Sequence, residues 1–342
     1  MNWIEQKLLG LFVKTNGLLS KPLLGGIAHI FMLHRVLPEA KRNEFILNKD
    51  LAISTSFLEL TIQDLKQKGY QFISLDELYQ ILQSGKKPAR PCICITLDHG
   101  YRDNVTYALP IFQKHQVPFT VYVTNCFPNQ EANLWWFWLE NILIKSETIT
   151  FQEEVMIIET QAQKQLVFDK IRGEIKNMTL DQINNISKSF FSKDKKDIVQ
   201  ETLDIALTWD ELALLKKERL ATIGAHTMNH LSLANQSFED MVYQISQSKI
   251  ELEDKLSIKI KHLCYPYGGL EDAGKREYAI TKKLGFHTAT LNHPGNVFLQ
   301  HKNNSWTLPR YALGDFVSQE RLSHSLNGIR HFAVNGWERV IK

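Results

Sequence analysis

Side chains that can hold a metal ion or move a proton come directly after apolar runs at several places in the chain. Asp98 and His99 end one such run, and the histidines His226 and His230 follow another. A third run leads into residues 265–269, a Tyr-Pro-Tyr-Gly-Gly turn whose backbone N–H groups can face an oxyanion. These residue types point to metal binding, proton transfer and stabilisation of negative charge.

Each of these fragments has a second interpretation when it is taken alone. His226 and His230 are spaced to share one face of a helical turn and bind one ion, but a chain with twelve histidines contains such pairs by chance. Asp98 can be a helix cap, and the Tyr-Pro-Tyr-Gly run can be a plain turn. The order of the fragments along the chain is more specific than any one of them.

The apolar runs predict the strands of an α/β fold that positions these residues. They lie at 26–33, 71–75, 92–97, 119–123, 221–225, 263–265 and 288–291, with helical periodicity at 57–68, 76–84 and 105–115. Strands that alternate with helices favour parallel βαβ units. About seven such strands favour a closed or nearly closed barrel, in which the chemistry sits at the C-terminal strand ends.

The length of 342 residues fits two domains or one large barrel with additions. Residues 139–207 interrupt the alternation, are rich in lysine, glutamate, glutamine and asparagine, and are predicted to form a helical insertion or cap. The predicted organisation is an N-terminal amphipathic helical segment at 1–27, barrel parts at 28–138 and 208–315, the insertion between them, and a C-terminal helical segment at 316–342.

Composition limits the function classes. Hydrophobic residues at 44% and charged residues at 23% are ordinary for a globular protein and exclude a disordered or collagen-like chain. A net charge of +3 gives no electrostatic case for binding nucleic acid. Cys92 and Cys94 point to one face of a strand, and no Cys-x-x-Cys pair occurs, so the four cysteines are predicted to be buried free thiols.

The first residues show neither a secretory signal nor a run of about 18 apolar residues, which favours a cytoplasmic protein. Apolar residues recur at helical spacing between Trp3 and Phe12. This pattern fits a helix packed on the protein itself. It also fits an interfacial anchor that holds the protein peripherally at the inner membrane through residues 1–20.

The ordered motifs resemble those of the polysaccharide deacetylase family, which comprises the NodB-homology or carbohydrate esterase family 4 enzymes. The matching stretches are Thr-Leu-Asp-His-Gly at 96–100, His-Thr-Met-Asn-His at 226–230 and Pro-Tyr-Gly at 266–268, with further likenesses at 117–120, 208–211, 285–286 and 308–310. The resemblance covers about residues 28 to 315, and the insertion fits it less well. It implies a distorted (β/α)7 barrel.

Two departures from the family pattern concern the chemistry. The second aspartate of the family's Thr-Phe-Asp-Asp-Gly motif is His99 here, and the usual Leu-x-His motif of the catalytic acid is not evident. The stretch 32–36 resembles the arrangement of poly-N-acetylglucosamine deacetylases, in which an early histidine is the acid. By this resemblance the acid is His34.

The resemblance implies a divalent ion held by His99, His226 and His230. Neutral imidazoles suit zinc, nickel or cobalt, whereas magnesium and calcium prefer oxygen, and zinc is the expected metal.

The resemblance also implies the roles of other residues. Asp98 is the expected base, His34 the acid, and Arg310 the residue that orients Asp98. Tyr265 and Tyr267 are expected at the substrate and the oxyanion. Apart from the resemblance, one residue of the aromatic run 134–138 is expected to stack on a sugar ring, with Trp135 as the candidate, while most of the run is expected to pack in the core.

The predicted function is that of a metal-dependent hydrolase that removes N-acetyl groups from an amino sugar in a polysaccharide or glycan precursor, in surface polysaccharide biosynthesis. One alternative is hydrolysis of a non-sugar amide at the same site. Another is a catalytically inactive barrel that binds glycan or serves as a scaffold. This alternative remains because His99 replaces an aspartate that binds metal in the family.

Overall fold

The chain folds around one sheet of parallel strands with helices packed against it, as shown by a computed structural model. The structure describes residues 24–190, 198–315, 322, 326–328, 335 and 338–340. The expected segments 1–20 and 316–342 therefore lie wholly or mostly outside the described residues.

The strands and helices have the following bounds. The strands are β1 (Ala28–Leu33), β2 (Arg35–Leu37), β3 (Ala52–Ser54), β4 (Gln71–Phe72), β5 (Cys92–His99), β6 (Phe119–Val123), β7 (Thr148–Phe151), β8 (Glu154–Ile157), β9 (Ala221–Ala225), β10 (His262–Cys264), β11 (Thr288–Thr290) and β12 (Tyr311–Ala312). The helices are α1 (Glu39–Arg42), α2 (Thr55–Gln67), α3 (Leu75–Ser84), α4 (Leu109–His115), α5 (Trp135–Lys145), α6 (Gln161–Lys176), α7 (Leu180–Ser189), α8 (Ile198–Ile205), α9 (Trp209–Leu215), α10 (Phe238–Leu256) and α11 (Lys275–Lys283).

The main sheet has the strand order β11-β10-β9-β6-β5-β1-β12, with β4 paired to the start of β5, and its pairs are parallel. A single segment joins the two edges of this row. Leu308 bridges Thr290 of β11, and Tyr311 pairs with Phe31 of β1. Seven strands thus form a nearly closed, distorted barrel, which confirms the predicted (β/α)7 fold.

Strand β5 carries the carboxylate of the first motif to the inner face of the sheet. Ile93 and Leu97 pack in the large core between sheet and helices, while Cys92 and Cys94 belong to a separate cluster on the opposite face. Because side chains alternate along a strand, Asp98 lies on the same face as the two cysteines. The four cysteines are free and buried, as predicted.

The segment expected to form an insertion contains α5, the β7–β8 hairpin and helices α6 to α8, and it supplies most of an apolar cluster that includes Leu139 and Phe168. The hairpin departs from the purely helical pattern expected for 139–207. Its turn places Gln152 and Glu153 at φ 46° and 69°. Such turns normally carry Asn-Gly or Asp-Gly, so the sequence lacks the usual hairpin signal.

The insertion is joined to the barrel by polar contacts. Lys176 Nζ lies 2.9 Å from the buried carboxylate of Asp272, and Asn235 donates to the side-chain oxygen of Asn177 at 2.8 Å. In the part of the chain that the structure describes, no helix is both long enough and apolar enough to cross a bilayer.

Candidate metal centre and active site

Three histidine rings, hereafter the histidine cluster (His99, His226 and His230), meet at the carboxyl ends of β5 and β9. His99 is the last residue of β5, and His226 directly follows β9. Ring centroids lie 5.4 Å apart for His99 and His226, 4.4 Å for His99 and His230, and 4.8 Å for His226 and His230. One nitrogen of each ring lies within 4.8 Å of the other two. The structure therefore brings together the three residues predicted to hold a metal.

Left-handed backbone conformations orient these rings. The expectation that His226 and His230 share a helical turn was wrong, because residues 226–230 form a loop. Thr227 and His230 have φ values of 65° and 56°, and His99 has 79°. Such values are uncommon outside glycine, most of all for a β-branched residue, and they concentrate at functional sites.

Hydrogen bonds and burial prepare the rings as ligands. His226 Nδ1 lies 2.8 Å from the carbonyl oxygen of Cys264, and since a carbonyl only accepts, Nδ1 carries the hydrogen and Nε2 has the lone pair. His99 Nδ1 lies 3.1 Å from the hydroxyl of Tyr101. Burial lowers the pKa of all three histidines below the ordinary value, so they are neutral at neutral pH.

A buried ion pair lies beside the histidine cluster. Arg310 donates to both carboxylate oxygens of Asp98, at 2.7 and 2.8 Å, and also to Thr96 Oγ1 at 3.1 Å and the Leu291 carbonyl at 3.0 Å. Burial alone raises the pKa of Asp98, but the charge and the hydrogen bonds of Arg310 outweigh it and hold this pKa well below its usual range. Asp98 is thus ionised and held in one orientation.

A second group with metal-ligand geometry consists of Asp98, His226 and Cys264. The guanidinium of Arg310 already occupies the space beside it, with Nη2 3.0 Å from the Cys264 sulfur. A second cation there would meet this positive charge at short range. The histidine cluster is the better metal site.

His34 follows β1 on the inner face of the barrel, with its ring centroid 5.3 Å from that of His99. Burial lowers its pKa to about 4, although the nearby Asp98 carboxylate opposes this shift. Its carbonyl oxygen accepts a hydrogen bond of 2.9 Å from Asn104 Nδ2. The predicted acid thus lies at the site and is neutral before any reaction.

The two tyrosines of the third motif have different surroundings. The Tyr267 ring lies 4.8 Å from that of His230, and its φ of 59° turns the backbone at this point. Tyr265 is fully buried, and its hydroxyl bonds to Thr281 and to the carbonyl of Trp306, both at 3.1 Å. The expectation that the Tyr265 side chain meets substrate was wrong, because alternation along the chain places it in the outer core.

Trp135 and its neighbour Trp136 have different surroundings. Trp135 is 4% exposed and belongs to the apolar core of the insertion. Trp136 is half-buried, and its ring centroid lies 5.8 Å from His99 and 6.4 Å from His230. Trp136, from the same aromatic run, is the tryptophan at the histidine cluster.

Comparison with known proteins agrees with these motifs. The family model described as polysaccharide deacetylase matches residues 85–289, more than half of the chain. The chain belongs to the polysaccharide deacetylase family. Within that family it is 32% identical over 73 residues to YxkH of Bacillus subtilis, which is named as a polysaccharide deacetylase. This match spans 21% of the chain and 26% of the length of YxkH.

Solved structures of deacetylases have the same fold. They include the deacetylase PplD of Streptococcus pyogenes in complex with acetate, with a TM-score of 0.57 and 17% identity, covering 87% of this chain and 97% of that one. IcaB from Ammonifex degensii gives a TM-score of 0.56 at 14% identity, over 89% and 98%. A de-N-acetylase from Aggregatibacter actinomycetemcomitans gives 0.57 at 12%, over 87% and 99%. At these identities the likeness concerns the fold alone.

The residues at the histidine cluster fit a divalent transition-metal ion such as zinc. The donor set is three neutral imidazole nitrogens, one of them fixed in its tautomer by the Cys264 carbonyl. Three histidines with one open position are an established catalytic zinc arrangement. The donor set does not suit magnesium or calcium, which take oxygen ligands.

Sequence reasoning missed two contacts at the site, those of Tyr101 and Cys264. Tyr101 lies two residues after His99, so its position beside the first motif was the signal that could have found it. Cys264 lies 3.5 Å from Asp98 Oδ2, and this contact depends on the order of strands in the sheet, which the sequence does not reveal.

Proposed function

We propose that this protein is a metal-dependent hydrolase that removes the N-acetyl group from an amino sugar of a polysaccharide or its precursor. The single observation that carries the proposal is the histidine cluster beside the Asp98–Arg310 pair, at the carboxyl ends of barrel strands. Family membership supports the reaction class, because deacetylation is the activity for which the family is named.

His99, His226 and His230 would hold the ion, and zinc is the metal we favour, with nickel or cobalt as alternatives. When bound, such an ion acidifies water and polarises a carbonyl group. Replacement of the family's second aspartate by His99 removes one negative charge from the ligand set, so a bound divalent ion would keep its full formal charge.

Asp98 is the proposed base. Its carboxylate stays ionised because Arg310 holds its pKa low. Oδ1 keeps a lone pair beyond the one that Arg310 occupies, whereas Oδ2 also faces the Cys264 thiol at 3.5 Å. Arg310 is a positioning residue, since it contacts Asp98 rather than the reacting atoms. A low pKa makes Asp98 a weak base, so its contribution depends on orientation toward the attacking water.

His34 is the proposed acid. Hydrolysis consumes one water, breaks the amide C–N bond, forms the C–O bond of acetate and leaves an amine that needs a proton. With a pKa of about 4, His34 is neutral beforehand, so we propose that it receives from Asp98 the proton that water loses and passes it to the departing nitrogen.

The backbone N–H of Tyr267 is the proposed donor to the negative charge that develops on the acetyl oxygen. Among the described residues it has no hydrogen-bond partner, while the neighbouring Gly268 N–H bonds to the Pro266 carbonyl at 2.6 Å. The donor is therefore available to a ligand.

We further propose that the reaction takes place in the cytoplasm or at the inner face of the membrane, on a precursor of a surface glycan. Four buried free thiols are typical of a reducing compartment. An N-acetylated glycan is the expected partner.

The experiment that tests this proposal is acetate release from a panel of N-acetylated glycans, with the wild type and Asp98→Ala after reconstitution with zinc. We expect release by the wild type and a loss of at least about a hundredfold in the variant. Equal rates would contradict the mechanism. Absence of bound zinc, nickel or cobalt after reconstitution would instead favour an inactive glycan-binding barrel.

A further inference from the structure

The C-terminal end of helix α6 packs against the turn that carries Tyr267. Lys176 is the last residue of α6, and its Nζ atom lies 5.6 Å from the centre of the Tyr267 ring and 2.9 Å from the buried carboxylate of Asp272. The centroid of the Tyr267 ring lies 4.8 Å from that of His230, a member of the histidine cluster. This end of α6 therefore lies at the edge of the proposed active site.

Arg172 lies one helical turn before Lys176. Residues four apart in a helix lie on the same face, so Arg172 is on the face of α6 that meets the Tyr267 turn. Arg172 is exposed. Helix α6 thus presents a guanidinium group to solvent on the side that faces the site.

The charge of Arg172 acts on groups at two sides of the histidine cluster. Burial raises the pKa of Tyr267, and the charge of Arg172 opposes this rise. Burial lowers the pKa of His34, the charge of Asp98 opposes this effect, and Arg172 is one of the positive charges that add to it. Because Coulomb interactions weaken with distance, Arg172 lies close to both the proposed oxyanion donor and the proposed acid.

Arg172 differs from Lys176 in having a free charge. Two carboxylates already surround Lys176 Nζ, since Asp272 and Glu271 lie 2.9 and 3.1 Å from it. Arg172 makes no hydrogen bond or ion pair with any residue that the structure describes. Of these two basic side chains, Arg172 is the one that can bind an added anion.

Two less exposed arginines near the site already have carboxylate partners. Arg310 is paired with Asp98 and Arg35 with Asp103, each at 2.7 Å. A free guanidinium group presents parallel N–H donors that match the oxygens of a phosphate or a carboxylate. A neutral sugar would leave the charge of Arg172 without a partner, so the arrangement favours a substrate with an anionic group.

Building on the proposed function, we propose that Arg172 binds a phosphate or carboxylate group linked to the sugar whose N-acetyl group lies at the histidine cluster. The preferred substrate is then an amino sugar joined to a phosphate or to an acidic sugar, rather than a neutral glycan. Arg172 sets this specificity and takes no part in breaking the amide bond.

The test compares three substrates that contain N-acetylglucosamine: the neutral methyl glycoside, the 1-phosphate, and the disaccharide with glucuronic acid. The proteins are the wild type, Arg172→Gln, Arg172→Glu and Lys170→Gln. Lys170→Gln is the matched control, because it removes the same charge from the same helix at an exposed lysine that is paired with Glu154 of the hairpin.

We expect kcat/KM of the wild type and of Lys170→Gln to be roughly tenfold higher for at least one anionic substrate than for the methyl glycoside. This ratio should fall to about one in Arg172→Gln and below one in Arg172→Glu, where the charge is reversed. The substrate with the higher ratio shows whether the anion is a phosphate or a uronate.

Equal kcat/KM for the neutral and both anionic substrates in the wild type, or the same ratio in Arg172→Gln as in Lys170→Gln, would overturn this role of Arg172. Calorimetric binding of the two anionic compounds, after incubation of each protein with zinc, distinguishes that result from failure of the proposed function. If no substrate is hydrolysed, weaker binding by Arg172→Gln than by Lys170→Gln still supports the anion site. Equal or absent binding refutes it.

Discussion

The guanidinium of Arg310 and the carboxylate of Asp98 form two hydrogen bonds, of 2.7 and 2.8 Å, and both side chains are buried. Arg310 belongs to the segment that joins the two edges of the barrel, since Leu308 bridges β11 and Tyr311 pairs with β1. The element that closes the barrel therefore also sets the orientation of the proposed base.

Arg310→Met is expected to destabilise the protein by about 3–5 kcal/mol, because it leaves the Asp98 carboxylate buried and unpaired. The measurement is urea unfolding of the metal-free protein. Arg90→Met is the control at an exposed arginine and should change stability by no more than about 0.5 kcal/mol. Equal stability of the two variants would show that the pair does not stabilise the fold.

Gly268→Ala is expected to lower both stability and activity. Gly268 has φ +67°, and an added Cβ would lie 2.4 Å from the backbone nitrogen of Asn292, which donates to the Gly268 carbonyl at 2.8 Å. The turn that carries Tyr267 must then shift, with a cost of about 1–3 kcal/mol.

Gly173→Ala is the matched control, because Gly173 lies within helix α6 with no atom within 4 Å of an added Cβ. It should stabilise the protein by up to about 1 kcal/mol and leave acetate release unchanged. If the Gly268→Ala protein is as active and as stable as the Gly173→Ala protein, the turn at Gly268 is not needed for activity or stability.

Stability is expected to fall between pH 7 and pH 5, in part because of His301. Burial lowers the pKa of His301 to about 4, with a hydrogen bond to the Phe298 backbone acting in the opposite direction. In the unfolded chain the pKa of a histidine is about 6.5, so below this pH the unfolded chain binds a proton that folded His301 excludes. The contribution of neutral His301 to stability is therefore complete above about pH 6.5 and is lost as the pH falls toward 4. For one group the loss at pH 5 is about 2 kcal/mol.

His301→Asn tests this contribution. The free energy of unfolding, measured in urea on metal-free protein, should fall between pH 7 and pH 5 by about 2 kcal/mol less in the variant than in the wild type. If the free energy of unfolding falls by the same amount in both proteins, His301 is not the source of the pH dependence.

Much of the barrel could be predicted from the sequence, because buried parallel strands are short apolar runs. The strands at 119–123 and 221–225 have the predicted bounds, and β5 extends two residues further, to His99. The β7–β8 hairpin escaped prediction because left-handed Gln152 and Glu153 replace the usual turn residues.

The site was predictable in its composition but not in its geometry. The family resemblance indicated His99, His226 and His230 as ligands, yet the left-handed loop that makes the last two converge has no signal in residue type. The sequence also did not show which of two adjacent tryptophans faces the site. Trp136 lies beside the histidine cluster, where we expected Trp135. Trp135 and Trp136 are adjacent residues at the start of helix α5, so a difference of one position decides which side chain faces the site.

Tyr265→Phe is expected to leave kcat/KM for acetate release unchanged. Its hydroxyl contacts Thr281 and Trp306 in the core, so its loss should cost about 1–3 kcal/mol of stability. Tyr243→Phe, at a tyrosine that is 54% exposed, is the control for the chemical change. A drop in kcat of tenfold or more in Tyr265→Phe alone would place this hydroxyl in the reaction.

We propose that the histidine cluster holds a metal ion on which N-deacetylation depends. The most direct measurement is acetate release from an N-acetylated oligosaccharide by chelator-treated protein as zinc is added, for the wild type and His99→Ala. We expect wild-type activity to recover and saturate at one zinc per chain, while His99→Ala neither binds zinc at that level nor regains activity. Full activity of the chelated wild type, or equal recovery in His99→Ala, would contradict the account.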